Sequence, residues 1–390
     1  MKKIVRYLSL FFAVLLLLSI SACNTKPIDP DGKGEDKGKD IQPFSYVVTP
    51  ETGTTVDFHT QNQLAFLNGV KTDETASKSN DYHVSEYASG IEELSRPLPV
   101  VLSWSGETGV NSYFFELSTD PKFSDSKPSL VFGNSFSIYN LYSATEYFWR
   151  VAPSVEKISY SAVYSFKTAE GPRNIFIDGI SNVRDLGGYI TNSGTRVKQG
   201  LIYRGGRWNT TWSKTLNIEI KGNGFNTINN DLKIKTELDL RGEGQDESGQ
   251  MKNGAVNGVN YLLYGCSWSS GMYPANRETV RRIFEEVLSD SSKYPIYFHC
   301  NIGTDRTGMI AYLLNGLLGV SEIELQVDYL LSNFGYIGSS RTLAGDMNEY
   351  VSLIENCDGK TYMEKVENFL LNDVGVSATA ISNIRNILLG

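Results

Sequence analysis

One short stretch of the chain combines a nucleophile with a residue that binds anions. In residues 294–308 an apolar, aromatic run that predicts a buried strand ends at His299, and Cys300 follows it directly. Arg306 lies six positions further on, and the residues after it predict the start of a helix. A loop between a strand and a helix aims backbone N–H groups at one anion and favours a nearby thiolate, the form that attacks phosphorus. The pattern therefore predicts that Cys300 attacks a phosphoryl group while the planar fork of Arg306 holds two of its oxygens.

The spacing of cysteine and arginine is by itself weak evidence for a catalytic site. With four cysteines in the chain, chance would place an arginine at this offset about one time in five. Only Cys300 has one, and Gly303 lies inside the loop, where it permits a positive φ. The structural alternative is a buried, inert cysteine beside a surface arginine. The strand–loop–helix setting favours the catalytic interpretation.

The run from His299 to Gly308 resembles the signature of the cysteine-dependent tyrosine phosphatases. It is most similar to the bacterial branch, which has an aspartate directly before the arginine. Further segments resemble that branch in the family's order, namely residues 182–189 with 200–206, 236–241 and 328–333. The resemblance covers about residues 171–390 and implies hydrolysis of a phosphomonoester through a cysteinyl-phosphate intermediate. The family usually has lysine in place of Thr304, and that lysine is associated with polyanionic substrates such as phosphoinositides.

The resemblance assigns roles within the loop. Cys300 is the expected nucleophile, and Arg306 with the backbone amides stabilises the phosphoryl oxygens. Asp305 is the expected general acid, with a simple helix-capping role as its alternative and Asp246 as the second candidate acid. The predicted phosphate-binding residues are Asn301, Ile302, Gly303, Thr304 and Thr307. The Thr307 hydroxyl either donates to the thiolate or starts the helix, and His299 is expected to orient the loop.

Asn182, Arg184 and Asp185 form a polar cluster before a Gly–Gly turn. The resemblance places this cluster near the loop, either as a buried, salt-bridged turn that supports it or in direct contact with substrate. Arg241 has the same two interpretations. The segment Tyr264–Asn276 is a candidate lid or substrate-side wall.

Composition excludes several classes of function. A net charge of −8 and a pI near 5.2 argue against nucleic-acid binding. No Cys/His spacing suggests a zinc site, so we expect no metal and no cofactor. Of three histidines only His299 lies in the C-terminal half, beside Cys300, which makes a Ser-His-Asp hydrolase hard to build.

The N-terminus predicts a targeting segment. Lys2, Lys3 and Arg6 precede an apolar run over residues 8–22 that is short for a membrane span and typical of a signal peptide. The run ends at Cys23 in a pattern that resembles a bacterial lipoprotein cleavage box, so residues 1–22 would be removed and Cys23 acylated. A plain signal peptide is the alternative. We expect a protein held by lipid outside the cytoplasm, in the cell envelope, with residues 23–42 as a flexible linker.

The rest of the chain predicts two domains. Residues 43–170, with a core of about 96–170, predict an all-β sandwich that resembles fibronectin type III and immunoglobulin-like domains, with Trp104, Trp149 and Val151 in its core. An aromatic surface for glycan or protein contact is the alternative. From residue 171 to 390, alternating strands and helices predict an α/β cysteine-phosphatase domain.

The leading functional hypothesis is a lipid-anchored protein-tyrosine or dual-specificity phosphatase. One alternative is an inositol phosphate or phosphoinositide phosphatase with the same mechanism. Another is a surface binding protein with weak catalysis. Cys266 and Cys357 are expected to be free thiols, although pairing in an oxidising compartment is the alternative.

Overall fold

The computed structural model describes residues 44–154, 159–209, 218–242, 254–267 and 272–390. The predicted signal peptide, the predicted acylation site Cys23, the linker and the second candidate acid Asp246 lie outside these ranges. Residues 43–390 group into one compact unit, in which a β-rich region precedes an α/β region. Within the described ranges, no helix has both the length and the apolar character needed to cross a membrane.

Eight short strands form two sheets in the β-rich region. They are β1 (Val48–Thr49), β2 (Thr54–Val56), β3 (Val100–Trp104), β4 (Ser112–Ser118), β5 (Ser129–Phe132), β6 (Ser135–Ile138), β7 (Glu146–Pro153) and β8 (Tyr164–Thr168). One sheet has the order β1-β3-β6 and the other β2-β8-β7-β4-β5. Alternate side chains of both sheets share one core, where the rings of Trp104 and Trp149 lie 6.2 Å apart. The predicted core aromatics are buried, while the likeness to fibronectin type III stays a prediction.

Residues 61–95, which we call the strap, leave the β-rich sheets and pack on the α/β region. The strap holds α1 (Gln61–Thr72), which begins at a capping box between Thr60 and Gln63, and a 3-10 helix (Lys78–Glu86). Phe66 and Tyr82 lie in the core of the α/β region. The Tyr82 hydroxyl donates to Gln326 at 2.8 Å. The strap therefore contributes to the α/β region from the N-terminal side of the predicted boundary at 170–171.

The α/β region is built on a five-stranded sheet. Its strands are β9 (Arg184–Asp185), β10 (Ile202–Gly205), β11 (Thr236–Asp239), β12 (Asn260–Leu263) and β13 (Ile296–His299), in the order β12-β11-β13-β10-β9. β10 to β13 are parallel and β9 is antiparallel to β10. Ile296 and Phe298 face one core and Tyr297 the other. Because the carboxyl ends of parallel strands meet at one edge, the residue after β13 lies where ligands bind in such sheets.

Helices cover both the sheet and each other. They are α2 (Gly224–Asn226), α3 (Met272–Arg282), α4 (Asp305–Leu317), α5 (Glu322–Leu330), α6 (Asn348–Glu355), α7 (Tyr362–Asn368) and α8 (Ala378–Leu388). Val280, Ile283, Phe284 and Val287 recur at helical spacing, and α3 continues through Ile283–Leu288 in wider turns. Every residue of α4 is buried, as expected for a helix at the centre of a region. Before α6 the chain forms a wide helical turn, Leu343–Met347, and it is α-helical only from Asn348.

Candidate active site

The strand β13 ends at His299, and residues 300–306, here the nucleophile loop, connect it to α4. Cys300 is 1% exposed, and α4 begins at Asp305. Gly303 has φ +75°, and a Cβ at this position would lie 2.2 Å from the carbonyl of Gly205. Only glycine combines the left-handed backbone with this close approach to β10. The sequence therefore fixes the path of the loop at Gly303.

Three side chains hold the carbonyl groups of the nucleophile loop from behind. Asn182 donates from Nδ2 to the carbonyl of Ile302 at 3.1 Å. Arg204 donates from Nη2 to the carbonyl of Gly303 at 2.9 Å. Arg207 donates from Nη1 to Asn301, at 2.6 Å from Oδ1 and 3.3 Å from the carbonyl. Because C=O and N–H point in opposite directions across a peptide plane, carbonyls held outward turn the amides inward. Inward amides next to Cys300 can bind an anion.

A buried ion cluster anchors two of these side chains, Asn182 and Arg204. Asp328 accepts from Arg184 Nε at 2.7 Å and from Arg204 Nη1 at 2.5 Å, and Arg184 donates to Asn182 Oδ1 at 2.6 Å. Burial opposes the charge on Asp328, but the two guanidinium groups outweigh burial and hold the pKa of its carboxyl below the usual value. Asn182 thus contacts the nucleophile loop directly, and Arg184 reaches it through Asn182. Their predicted supporting role stays a prediction.

Asp185 contacts a different part of the molecule. It accepts from Arg173 Nη1 at 2.6 Å and from the backbone N–H groups of Gly187 and Gly200. Arg173 also donates from Nε to the carbonyl of Leu141 in the β-rich region, at 2.9 Å. Asp185 therefore joins the two regions, and within the described ranges it forms no hydrogen bond with the nucleophile loop.

His299 is fully buried between two acceptors. Its Nδ1 lies 2.9 Å from the carbonyl of Cys300, and its Nε2 lies 3.0 Å from Glu237 Oε1. A carbonyl only accepts, so Nδ1 carries a proton, and the bond to Glu237 needs a second proton on the ring or the carboxyl. Both ring nitrogens of His299 are thus engaged at the start of the loop, and its orienting role stays a prediction.

Arg306 and Cys266 meet beside the nucleophile loop. Arg306 Nη1 lies 3.4 Å from the carbonyl of Leu240 and 3.5 Å from that of Cys266. Burial raises the pKa of the Cys266 thiol to about 12, with Arg306 acting against burial and Cys300 adding to it. Cys266, Cys300 and Cys357 are all free thiols, as expected. Arg241, which follows the carboxyl end of β11 at the same edge of the sheet, donates from Nη2 to Asp239 Oδ2 at 2.6 Å.

Asp305 is bound by two residues from outside the nucleophile loop. Arg341 Nε donates to Oδ1 at 2.9 Å and Arg341 Nη2 to Oδ2 at 3.2 Å. The Tyr329 hydroxyl donates to Oδ1 at 3.3 Å. The predicted general acid therefore stands in a two-pronged ion pair.

Thr304 and Thr307, two of the predicted phosphate-binding residues, are both buried. Thr304 is fully buried, and its Oγ1 accepts from Asn182 Nδ2 at 3.2 Å. The Thr307 hydroxyl is buried and has no hydrogen-bond partner within the described ranges. Its predicted bond to the Cys300 thiolate stays a prediction. Of the candidate lid, Tyr264–Asn276, residues 268–271 are outside the described part of the chain.

Sequence reasoning missed four charged residues at the site: Arg204, Arg207, Glu237 and Arg341. Arg204 carried a usable signal, because it is the one charged residue in its strand, whereas Glu237 shares a four-residue strand with Asp239. Arg341 lies in a polar stretch without periodicity, and nothing local connects it to Asp305, which is 36 positions away.

A sequence profile of the tyrosine phosphatase family matches residues 175–390, more than half of the chain. The chain belongs to the tyrosine phosphatase family. A Cupriavidus necator protein whose name places it among the tyrosine-protein phosphatases is 27% identical over 192 residues, which is 43% of this chain and 65% of that protein. The chain thus spans slightly less than two thirds of the length of this relative.

Two solved structures of the Siw14 catalytic core are also similar to the chain. The first, the PP-IP phosphatase of S. cerevisiae in complex with citrate, is 19% identical, covers 43% of this chain and 90% of its own, and has a TM-score of 0.26. The second is 17% identical, covers 48% of this chain and 92% of its own, and has a TM-score of 0.28.

The chemistry available at the site suits the family. A thiol, a guanidinium, backbone amides and a carboxylate are all carried by seven consecutive residues at one edge of the sheet. The amides and the guanidinium can bind the oxygens of a tetrahedral anion, and the thiol is the nucleophile among these groups.

Proposed function

We propose that this member of the tyrosine phosphatase family hydrolyses phosphotyrosine, alone or with other phosphorylated side chains, through a covalent intermediate on Cys300. The observation that carries the proposal is that two side chains bind the carbonyl groups of the nucleophile loop. Asn182 and Arg204 hold the carbonyls of Ile302 and Gly303 outward. A cradle of amides pre-formed around a cysteine needs little reorganisation when a phosphoryl group arrives.

The proposed reaction has two steps. In the first, the Cys300 thiolate attacks phosphorus, the S–P bond forms, the P–O ester bond breaks, and the leaving oxygen takes a proton. In the second, water attacks phosphorus, the S–P bond breaks and phosphate leaves. Arg306 and the amides of residues 301–306 bind the non-bridging oxygens throughout, where the charge of the transition state resides.

Asp305 is the proposed acid and base of these steps. It would donate the proton to the leaving oxygen and later accept one from water. Its position at the first residue of α4, directly before Arg306, supports this role. Asp246 remains the second candidate.

The surroundings of Thr304 support one substrate class over the other. The threonine side chain at this position is uncharged, and it is also buried and bound to Asn182, so it offers neither a positive charge nor an exposed donor to a second phosphate. This supports a protein phosphomonoester over inositol phosphates or phosphoinositides. Anchoring in the cell envelope through Cys23, and protein or glycan contact through the β-rich region, remain proposals from sequence.

A comparison of substrates tests the proposal. The purified full chain is assayed on p-nitrophenyl phosphate, phosphotyrosine and phosphoserine peptides, and inositol phosphates, with Cys300→Ser in parallel. We expect the highest kcat/KM on phosphotyrosine and no turnover by the variant. A preference for inositol phosphates would contradict the proposed substrate class. Equal turnover by Cys300→Ser would contradict the assignment of Cys300 as the nucleophile.

A further inference from the structure

The carboxylate of Asp305 is held in place from outside the nucleophile loop. Arg341 approaches it side-on, with Nε at 2.9 Å from Oδ1 and Nη2 at 3.2 Å from Oδ2. Tyr329, on α5, adds a third donor at 3.3 Å. Both side chains of the ion pair are about nine-tenths buried. Such two-pronged pairs fix the orientation of a carboxylate as well as its position.

This geometry selects one chemical form of Asp305. A guanidinium keeps its protons under all ordinary conditions and can only donate. With both oxygens accepting, the bound Asp305 is a carboxylate. A carboxylate can accept a proton from water, whereas donation to a leaving group requires Arg341 to release it.

The strap holds the segment that carries Arg341. The Gly90 carbonyl accepts from the N–H groups of Ile337 and Gly338, both at 2.8 Å, and the Gly90 N–H donates to Asn333 at 2.7 Å. Asp81 accepts from the Leu343 N–H at 2.7 Å. These bonds lie on both sides of Arg341 along the chain.

The side chain of Asn333, a residue of the α/β region, binds the backbone of Arg341 in the same segment. Its Oδ1 accepts from the N–H of Arg341 at 2.6 Å, and its Nδ2 donates to the carbonyl of Arg341 at 3.0 Å. The backbone of Arg341 is therefore fixed independently of its side chain.

We propose that Arg341 is a positioning residue that holds Asp305 as the base for hydrolysis of the phosphocysteine, and that the strap keeps Arg341 in place. The inference rests on the proposed function. In this step water adds to phosphorus, its proton passes to the Asp305 carboxylate, the S–P bond breaks, and the electron pair of that bond returns to Cys300 as thiolate. No oxidant, reductant or metal is required.

Rapid-mixing kinetics of the full chain on p-nitrophenyl phosphate separate the two steps, because nitrophenolate appears in the first. In Arg341→Gln we expect a burst of about one nitrophenolate per chain at an unchanged rate, followed by a steady state at least about tenfold slower than in the unmodified chain. Arg341→Lys keeps the positive charge but lacks the planar fork. Its steady-state rate should lie between those of Arg341→Gln and the unmodified chain.

Two results would count against the role of Arg341. One is a steady state in Arg341→Gln equal to that of the unmodified chain. The other is an equal loss in burst rate and steady state, which would indicate general damage to the loop. Absence of turnover in the unmodified chain would instead overturn the proposed function.

A matched pair of glycine variants tests the strap. Gly90 and Gly133 have φ of +77° and +83°, so alanine strains both backbones alike. A Cβ at Gly90 would lie 2.6 Å from the carbonyl oxygen of Ser339, to which Arg341 Nη1 donates, whereas one at Gly133 meets nothing within 4 Å. We expect Gly90→Ala to reproduce the slow second step and Gly133→Ala to keep normal kinetics. Identical kinetics in the two variants would overturn the role of the strap.

Discussion

At the scale of single residues, Asp305 and Arg306 are neighbours with opposite surroundings. Arg306 extends toward the carbonyls of Leu240 and Cys266, while Asp305 is bound by Arg341 and Tyr329. The ion pair gives Asp305 a preferred orientation, and the acid role proposed for it requires that orientation to change during the first step.

Replacement of Asp305 by asparagine tests the acid role. The value of kcat/KM reports the steps up to the first irreversible one, so it excludes hydrolysis of the phosphocysteine. We expect Asp305→Asn to lower kcat/KM by about 10²-fold or more for phenyl phosphate, whose leaving group needs a proton, and far less for p-nitrophenyl phosphate. An equal loss on both substrates would assign the acid elsewhere, with Asp246 as the next candidate.

The sequence identifies the residues of the nucleophile loop because their chemistry and spacing are local. It does not identify the partners of that loop. Arg204 and Gly303 are 99 positions apart, and Asp305 and Arg341 are 36 apart, so no periodicity joins them. Their contacts arise only from the tertiary fold.

At the scale of elements, Asp328 on α5 connects β9 and β10 through Arg184 and Arg204. The pKa of its carboxyl is lower in the folded chain than the usual value of about 3.9 that applies to the unfolded chain. A carboxyl of this kind stabilises the fold fully above the unfolded value, and the stabilisation is lost as pH falls through the folded value. The cluster should therefore weaken below about pH 4.

Urea unfolding across pH measures this effect. We expect the free energy of unfolding to fall as pH drops from about 4, and Asp328→Asn to lose about 3–5 kcal/mol at neutral pH, because two buried guanidinium groups are left without their carboxylate. The free energy of unfolding of Asp328→Asn should also depend less on pH in this range. A variant as stable as the unmodified chain at neutral pH would contradict this assignment.

The elements themselves were largely predictable. The apolar positions of α3 and the alternating positions of β7 recur at helix and strand periods, and both elements are confirmed. The strap was not predicted. Its helices pack on a region that begins only at about residue 171, so local patterns do not reveal what they pack against.

At the scale of the whole molecule, the β-rich and α/β regions share contacts beyond their covalent connection. Arg173 lies 4.4 Å above the ring of Tyr142, donates to the carbonyl of Leu141 and pairs with Asp185. The strap adds Phe66 to the core of the α/β region. We therefore expect the catalytic region to depend on the strap for its stability.

A pair of phenylalanine variants tests this dependence. Phe66 is 0% exposed in the strap and Phe132 is 79% exposed on β5. We expect Phe66→Ala to lower the free energy of unfolding by about 3–5 kcal/mol and Phe132→Ala to change it by about 0.5 kcal/mol or less, as measured by urea unfolding. Equal, small effects of both would show that the strap adds little to the core.

The covalent intermediate is the most direct test of the account. The full chain is mixed with ³²P-labelled aryl phosphate, quenched in acid within one turnover, and digested to locate the label. We predict about one phosphoryl group per chain on the peptide that contains Cys300, and none in Cys300→Ser, which should not turn over. Turnover without label at Cys300, or turnover that persists in Cys300→Ser, would contradict the account.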